Sequence, residues 1–272
     1  MLMMKEYGPL VDTHCHILPN LDDGPSCLED SVSMARAAVG SGIHTIVATP
    51  HHGIGKYENI SDFIIKNVIC FNKELVVRKI PLLILAGQEV RVHSQLVEEL
   101  YAGKILTLNG TRFILLELPS YGVPSYFDEL LHEVSILGLR PVIAHPERNA
   151  QFLNKPMVLQ RYVEQGALCQ ITAQSVMGLF GAKIQRFTIN LCHNNWVHVV
   201  ASDAHNLKSR PFLLEQSYEY LNKRIGKEQV QYFKDNALKI VRDEEIDSVI
   251  HMNKKKSWFV RWTYRNSYHK NW

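Results

Sequence analysis

The chain has 272 residues, of which 30 are basic and 27 are acidic, so its formal net charge is +3. This near balance lacks the strong basic excess of a typical nucleic-acid-binding chain, and we expect no nucleic-acid partner. The hydrophobic fraction of 46% is ordinary for a globular protein, and the length allows one large α/β domain or two small ones.

The cysteines and the apolar segments indicate the compartment. The five cysteines are scattered and form no C-x-x-C pair, which fits a reducing environment rather than a disulfide framework. Residues 1–10 lack the apolar core of a signal peptide, and no apolar run approaches the ~20 residues of a transmembrane helix. We therefore expect a soluble, cytoplasmic protein.

Short apolar, β-branched runs alternate with longer amphipathic runs along the chain. They predict seven strands, at residues 10–12, 45–48, 81–86, 113–116, 141–144, 167–172 and 196–201. The amphipathic runs predict helices at residues 28–39, 61–78, 95–101, 125–137, 155–165, 182–194, 211–224 and 229–242. Each predicted strand is therefore followed by at least one helix.

This alternation demands a parallel sheet with right-handed crossovers. No linker rich in Gly, Pro or Ser divides the chain. We expect a single α/β domain over residues 1–250, a closed or nearly closed (β/α)7 barrel, followed by a basic and aromatic extension over residues 251–272. The alternative is an open doubly wound sheet, which usually confines its site to a crevice fed by two or three strands.

Histidines or acidic residues stand at six of the seven predicted strand ends, where barrel enzymes carry their sites. The first strand ends in His14-x-His16, and alternate residues of a strand point to the same side, so both imidazoles can reach one metal ion. The last strand ends in a second such pair, Asp203-x-His205. The other candidates are Asp22, Asp23, His51, Glu89, Glu117 and His145.

A mixed set of imidazoles and carboxylates suits zinc, iron or manganese, and several carboxylates favour manganese or iron. More than four ligands imply more than one ion. Two arginines, Arg148 and Arg210, follow ligand positions and match the planar geometry of a phosphate. None of the cysteines has an arginine six positions later, as a cysteine-based phosphate loop requires, so we expect metal-activated water to be the nucleophile.

Not every histidine or cysteine belongs to this set. His52 follows a candidate ligand but points the other way if the strand continues, so its role stays open. Cys15 should point away from the metals and pack behind the first strand. The remaining histidines are expected to be surface or packing residues, namely His44, His93, His132, His193, His198, His251 and His269.

Six segments together resemble the PHP (polymerase and histidinol phosphatase) superfamily. Within it they are similar to the bacterial manganese-dependent protein-tyrosine phosphatases encoded beside capsular and exopolysaccharide genes. The segments are His14-x-His16, Leu21-Asp22-Asp23-Gly24-Pro25, Ala48-Thr49-Pro50-His51, Gly87-Gln88-Glu89-Val90, His145-Pro146-Glu147-Arg148 and Ser202-Asp203-Ala204-His205. The similarity covers about residues 9 to 245.

The resemblance implies a distorted (β/α)7 barrel of the PHP type with three divalent ions, manganese above all, with iron or zinc as alternatives. One ion would take His14, His16, Glu89 and Asp203, and a second would share Glu89 and add Glu117 and His145. A third would take His51, His205 and an aspartate, for which Asp23 is favoured over Asp22 although spacing does not decide. Arg148 and Arg210 match the phosphate-binding arginines of the family.

The resemblance also implies a substrate, namely a phosphotyrosine protein such as a bacterial tyrosine kinase of polysaccharide synthesis. Two other functions are weighed against it. An amidohydrolase-like enzyme, phosphoesterase or nuclease would keep the metals, but residues 116–118 lack the bridging lysine that many amidohydrolases carry. A metal-binding scaffold without activity is disfavoured because the ligand set is complete.

The extension has no counterpart in the resemblance. Between residues 254 and 270 it contains six basic residues and no acidic ones, interleaved with Trp, Tyr and Phe. Such a segment is typical of contact with an anionic membrane surface. A disordered extension without a partner is the alternative, and the sequence does not indicate an oligomeric state.

Overall fold

The structure is a computed structural model that describes residues 10–55 and 57–247. The extension from residue 251, and the boundary predicted before it, lie outside the described residues.

Ten strands follow one another in the described part of the chain. They are β1 (Leu10–Cys15), β2 (Ile43–Ala48), β3 (His51–Ile54), β4 (Tyr57–Glu58), β5 (Leu83–Ala86), β6 (Glu89–Arg91), β7 (Phe113–Glu117), β8 (Arg140–Ala144), β9 (Leu168–Thr172) and β10 (Val199–Ala201). All pair in parallel except β4, which forms an antiparallel ribbon with β3.

Ten α-helices connect these strands in residues 10–55 and 57–247. They are α1 (Leu28–Gly40), α2 (Ser61–Val77), α3 (Leu96–Tyr101), α4 (Phe127–Ile136), α5 (Ala150–Asn154), α6 (Pro156–Glu164), α7 (Ala173–Val176), α8 (Ala182–His193), α9 (Leu214–Ile225) and α10 (Lys227–Arg242). Single 3₁₀ turns lie at Leu108–Gly110 and Pro146–Arg148.

The strands form a ring of seven. Strand β3 continues β2 and β6 continues β5, because Ala48 pairs with Ala86 and His51 pairs with Glu89 in one unbroken register. The ring then runs through β7, β8, β9 and β10. It closes on β1, since the Asp203 amide donates to the His14 carbonyl at 2.8 Å and the His16 amide donates to the Ala204 carbonyl at 2.9 Å. The predicted (β/α)7 barrel is confirmed.

Two interruptions explain why the longer strands are split. Pro50 has no amide hydrogen to donate where β2 passes into β3. Gly87 separates β5 from β6, and a Cβ at this position would lie 2.6 Å from Val47 Cγ1. A side chain at position 87 would therefore collide with Val47 unless that residue moved, and Glu89 follows directly at the start of β6.

Apolar side chains fill both sides of the ring. Small and branched residues from the strands occupy the interior, together with Ala237 and Ile240 of α10, which covers the amino-terminal end of the barrel. The interior strand residues are Val11, Val47, Phe113, Leu115, Val142, Ala144, Leu168 and Val199. A second, larger layer lies between the strands and the surrounding helices. This packing leaves the carboxyl-terminal ends of the strands for polar residues.

The predicted elements agree with the observed ones to within a few residues. Helices α5 and α7 and the β3–β4 ribbon are additions that the sequence pattern did not predict. Asn149 caps α5 by accepting hydrogen bonds from the Gln151 and Phe152 amides. Strand β1 is longer than predicted and contains a register shift between Asp12 and Cys15. This irregularity lets Val11 and His14 face the interior although they lie three residues apart.

Candidate metal centre

Glu89 lies at the middle of the predicted ligands. Its Oε2 atom is 3.3 Å from His14 Nε2, 3.2 Å from His16 Nε2 and 2.9 Å from His51 Nδ1. Its Oε1 atom accepts a hydrogen bond from His145 Nε2 at 2.7 Å. One buried carboxylate at the start of β6 therefore meets imidazoles from three other parts of the ring.

Asp203 and Glu117 complete two sides of this arrangement. Asp203 Oδ1 is 3.3 Å from His14 Nε2 and 3.6 Å from His16 Nε2. Glu117 Oε1 lies 3.9 Å from His145 Nε2, and its Oε2 lies 3.8 Å from His51 Nδ1. Both carboxylates reach the ligands that Glu89 contacts, as sharing between ions requires.

The two aspartates of the Asp-Asp-Gly-Pro segment have different surroundings. Asp23 Oδ1 is 3.1 Å from His205 Nε2 and 3.5 Å from His51 Nε2, so this carboxylate faces the candidate ligands. Asp22 Oδ2 instead accepts a hydrogen bond from His16 Nδ1 at 2.6 Å and from the His51 amide at 3.1 Å. Asp22 therefore orients a candidate ligand from behind, as carboxylates commonly do beside metal-binding histidines.

Three overlapping groups bring their ligand atoms within 4.8 Å of one another. The groups are His14, His16 and Glu89; His51, Glu89 and Glu117; and His16, Asp23, His51 and His205. These groups resemble the predicted division among three ions. They differ in that His16, predicted for the first ion only, also belongs to the group of the third. His145 and Asp203 stand outside these groups while contacting their members.

The donor set fits divalent cations. Five buried atoms that face this cluster make no hydrogen bond to any described residue, namely His51 Nδ1, Glu89 Oε2, Glu117 Oε2, Asp203 Oδ1 and His205 Nε2. Burying such groups without hydrogen bonds is costly. Ions held between the carboxylates and the imidazoles would satisfy all five.

Burial and neighbouring charges shift the pKa values of these groups. Burial lowers the pKa of His145 to about 4, and the charge of Arg148 acts in the same direction, so its imidazole is neutral and able to bind a metal. Burial, followed by the charge of Glu89, raises the pKa of Glu117 to about 7. Two carboxylates so close together need a cation to keep both ionised.

Two of the candidate ligands occupy unusual backbone conformations. His145 has φ 34° and Asp203 has φ 53°, both in the left-handed region that residues with a Cβ rarely adopt. Such conformations cost on the order of 1–3 kcal/mol each and persist where the surrounding structure holds them. Here they turn the chain sharply at the ends of β8 and β10 and direct both side chains into the cluster.

The two predicted arginines meet at one carboxylate oxygen. Arg148 Nη2 and Arg210 Nη2 donate to Asp203 Oδ2 at 2.6 and 2.8 Å, while Asp203 Oδ1 faces the histidines. The Arg148 guanidinium also lies 5.0 Å from the ring centre of Phe180. Asp203 thus holds two cationic groups beside the candidate metal ligands.

A cavity of about 300 Å³ opens over this arrangement. Its walls include Asp23, His51, Glu89, Glu117, His145, Arg148 and Arg210. The other residues that line it are Leu118, Ser120, Ala144, Pro146 and Asn149. The structure therefore brings all nine predicted ligands and both arginines to one end of the barrel, most of them on a single cavity.

Sequence reasoning missed two residues that contact this cluster. Gln170 Oε1 lies 2.8 Å from His14 Nδ1, and Arg91 Nε lies 3.1 Å from Glu117 Oε2. Gln170 belongs to β9, the one strand whose end carries no predicted ligand. An inward-facing polar residue on an otherwise apolar strand was the signal that would have found it.

Two other residues, Glu147 and Cys15, stabilise the structure around the cluster. Glu147 of the His-Pro-Glu-Arg segment is buried and accepts hydrogen bonds from the Thr172 amide and hydroxyl, so it ties the loop after β8 to β9. Cys15 is buried among apolar residues and lies 3.5 Å from the Ala204 carbonyl, as expected of a packing residue.

The length and polarity of the helices bear on membrane insertion. In residues 10–55 and 57–247, no helix combines the length and apolar character needed to cross a bilayer.

Comparisons with known proteins identify the family. The family described as capsular polysaccharide synthesis, CpsB/CapC, matches residues 10–242. The tyrosine-protein phosphatase YwqE of Bacillus subtilis is 42% identical over 87% of this chain and 93% of its own length. The tyrosine-protein phosphatase CpsB of Streptococcus agalactiae is 34% identical over 87% of this chain and all of its own length.

A solved structure of the same kind has the same fold. It comes from a study of YwqE from Bacillus subtilis and CpsB from Streptococcus pneumoniae, described as unique metal-dependent tyrosine phosphatases. The match has a TM-score of 0.86 at 42% identity and covers 88% of this chain and 96% of the other. These matches cover most of this chain and most of each relative, so the chain belongs to the CpsB/CapC family of capsular polysaccharide synthesis.

Proposed function

We propose that the chain is a metal-dependent protein-tyrosine phosphatase that acts in capsular or extracellular polysaccharide synthesis. The observation that carries the proposal is the convergence, beside two arginines on one cavity, of buried carboxylates and imidazoles that each leave an atom without a hydrogen bond. The relatives named above are tyrosine-protein phosphatases, which supports phosphotyrosine as the substrate.

The nine candidate ligands would hold three divalent ions, and we propose manganese because the set combines imidazoles with four carboxylates. The ligands are His14, His16, Asp23, His51, Glu89, Glu117, His145, Asp203 and His205. When bound, such ions lower the pKa of water from ~15.7 toward ~7 and so supply a nucleophile at neutral pH. Asp22 and Gln170 fix the orientation of His16 and His14 for this purpose.

Arg148 and Arg210 would bind the substrate. Their guanidinium groups donate to the same Asp203 oxygen and line the cavity, so they can hold the oxygens of a phosphoryl group placed against the ligands. Charge that builds on these oxygens during phosphoryl transfer is stabilised by fixed cations. Phe180 stacks on Arg148 and limits its movement.

The leaving group fits the residues of the cavity. Tyrosine has a pKa of ~10, so a phenolate leaves with less help from an acid than an alkoxide does. This suits a site whose walls offer carboxylates, which serve as ligands, and a neutral His145. We propose as substrate the phosphorylated tail of a tyrosine kinase of polysaccharide synthesis, reached in the cytoplasm.

A substrate panel tests the proposal. The full chain with added Mn²⁺ is offered a phosphotyrosine peptide, a phosphoserine peptide, single-stranded DNA and an amide substrate. Release of phosphate from phosphotyrosine at the highest rate, abolished by a chelator, is the expected result. Preferred cleavage of DNA or of the amide would replace the proposal with a nuclease or an amidohydrolase-like enzyme.

For the extension we propose peripheral contact with an anionic membrane. Its basic and aromatic composition supports this, at ~1 kcal/mol for each basic residue near the surface. Vesicles containing anionic lipids should sediment the full chain but not a version ending at Asn253. Equal sedimentation of the two proteins would remove the extension from membrane binding.

A further inference from the structure

A second group of histidine and acidic side chains lies on the other face of the β3–β6 pair. His51 and His52 are successive residues of β3, so their side chains point to opposite sides, and His51 faces the main cluster. His52 Nε2 lies 2.8 Å from Glu99 Oε2 of α3, and His93 Nε2 lies 3.4 Å from the same oxygen. We call His52, His93 and Glu99 the outer cluster.

From this arrangement we propose that the outer cluster binds one zinc-type divalent ion, separate from the ions of the main centre. One ligand atom from each residue lies within 4.8 Å of the other two. In a tetrahedral site with bonds of ~2.0 Å, ligand atoms lie ~3.3 Å apart. The 3.4 Å between His93 and Glu99 is near this value, and the 2.8 Å between His52 and Glu99 would widen by ~0.5 Å around an ion. Two imidazoles and one glutamate form a well-known zinc ligand set.

The hydrogen bonding within the outer cluster is incomplete, and this favours a bound ion. The His52 side chain is 4% exposed, and His93 Nε2 is buried without a hydrogen bond to any described residue. Only His52 donates to Glu99, so one carboxylate oxygen faces two imidazole nitrogens with a single hydrogen bond between the three groups. An ion between these atoms would engage all three.

The backbone at Gly53 makes room for this arrangement. A Cβ at Gly53 would lie 3.0 Å from His93 Cδ2 and 3.4 Å from His93 Nε2, and the residue has φ +78°. Any side chain there would crowd the His93 ring in this position. The chain therefore adopts a glycine conformation at the point where the imidazole of His93 must approach β3.

The location gives the ion a structural role. His52 belongs to β3, His93 follows β6, and Glu99 belongs to α3. An ion that joins the three would fix the two strands that carry His51 and Glu89, and would tie them to the neighbouring helix. The fourth position is open to water, because His93 and Glu99 are only partly buried.

Zinc content in solution tests the proposal. The full chain is saturated with Zn²⁺, dialysed and analysed for bound metal, together with His93→Ala and Glu99→Gln. Both variants should hold one ion fewer per chain than the wild type while keeping aryl phosphate turnover after Mn²⁺ is added. Equal zinc content in all three proteins would overturn the proposal.

Two matched controls and a direct observation complete the experiment. His132→Ala and Glu133→Gln change the same residue types at exposed positions of α4 and should keep the full zinc content. An anomalous difference map at the zinc edge, from crystals of the full chain grown with Zn²⁺, should show a peak bonded to His52, His93 and Glu99. A map with peaks only at the main centre would refute the outer site, even if one of the variants fails to fold.

Discussion

The two faces of the β3–β6 pair carry similar residues in different surroundings. On the inner face, His51 and Glu89 belong to a cluster that draws side chains from six of the seven strand ends and includes five buried atoms without a hydrogen bond to any described residue. On the outer face, His52 and His93 meet one glutamate from the adjoining helix. The inner cluster depends on closure of the whole barrel, whereas the outer one is built within residues 52–99.

The inner cluster is suited to catalysis and the outer cluster to a structural role. Among residues 10–55 and 57–247, arginines donate to a carboxylate of the inner cluster, which opens into a cavity able to hold a phosphoryl group. The described part of the chain gives the outer cluster neither feature, so an ion bound there would hold strands together without reaching a substrate. Histidine and glutamate thus serve different purposes on the two faces. The neighbouring arginines make the difference, because they suit the inner face to phosphate chemistry.

The largest expected effect comes from a matched change on the two faces. Glu89→Gln removes the carboxylate that contacts His14, His16 and His51, so bound metal should fall and aryl phosphate turnover should drop by ~10³-fold or more, which is ~4 kcal/mol. Glu99→Gln should leave turnover within ~2-fold at saturating Mn²⁺, a difference below ~0.5 kcal/mol. Metal analysis and steady-state kinetics measure both.

A different outcome would change the interpretation of the two faces. If Glu99→Gln lowered turnover as strongly as Glu89→Gln, the outer cluster would be coupled to the chemistry. A purely structural role for the outer cluster would then be wrong. Circular dichroism of both variants controls for loss of fold.

Arg148→Ala should have the next largest effect. The guanidinium lies beside Asp203 on the cavity, and removal of one group that stabilises transition-state charge typically costs ~10²–10³-fold in kcat. Bound metal should stay at the wild-type amount because Arg148 contacts a candidate ligand without being one. Turnover of an aryl phosphate at the wild-type rate would remove Arg148 from the mechanism.

The sequence predicted the inner cluster well because its signal is periodic. His14-x-His16 and Asp203-x-His205 reveal their shared face by spacing alone, and each lies directly after an apolar run. The number of strands followed from the same alternation. The ring order then brought residues from distant parts of the chain together without further information, since parallel strands present all their carboxyl ends on one side.

The contacts that the sequence did not predict depend on pairs of distant residues. His14 meets Gln170 across 156 positions, and no local pattern connects an amide on β9 with an imidazole on β1. The outer cluster was missed for a related reason. His93 follows a short strand and was expected to be a surface or packing residue, and its approach to His52 depends on the parallel pairing of β3 with β6.

Substitutions in the Asp-Asp-Gly-Pro segment test which of its two aspartates binds metal in the inner cluster. Asp22 holds the far nitrogen of His16, so Asp22→Asn should weaken metal affinity by ~10–100-fold, as loss of an orienting carboxylate typically does. Excess Mn²⁺ should restore its turnover. Asp23→Asn removes a carboxylate that faces His51 and His205 directly, so excess metal should not restore this variant.

Metal titrations of turnover distinguish the two aspartates. Rescue of Asp23→Asn by excess Mn²⁺, with no rescue of Asp22→Asn, would exchange their roles and place Asp22 among the ligands. Isothermal titration with Mn²⁺ gives the affinities directly.

The smallest expected effect on turnover is that of alkylating the cysteines, of which Cys15 lies on β1 between two candidate ligands. Cys15 alternates with His14 and His16 and lies in the apolar layer, and Cys169 and Cys192 are buried as well. Burial raises the pKa of all three thiols above its usual range, which suppresses the reactive thiolate. Under native conditions iodoacetamide should label only the exposed Cys27 and Cys70, as counted by mass spectrometry, and turnover should not change.

This null effect decides between two kinds of phosphatase. A cysteine-dependent enzyme needs a thiolate of low pKa in its cavity, and none of the five cysteines lines the cavity of the inner cluster. A chelator should therefore stop the reaction while the alkylating reagent does not. Inactivation in proportion to the labelling of one cysteine would contradict a mechanism in which His14 and His16 serve metal ions and Cys15 between them only packs.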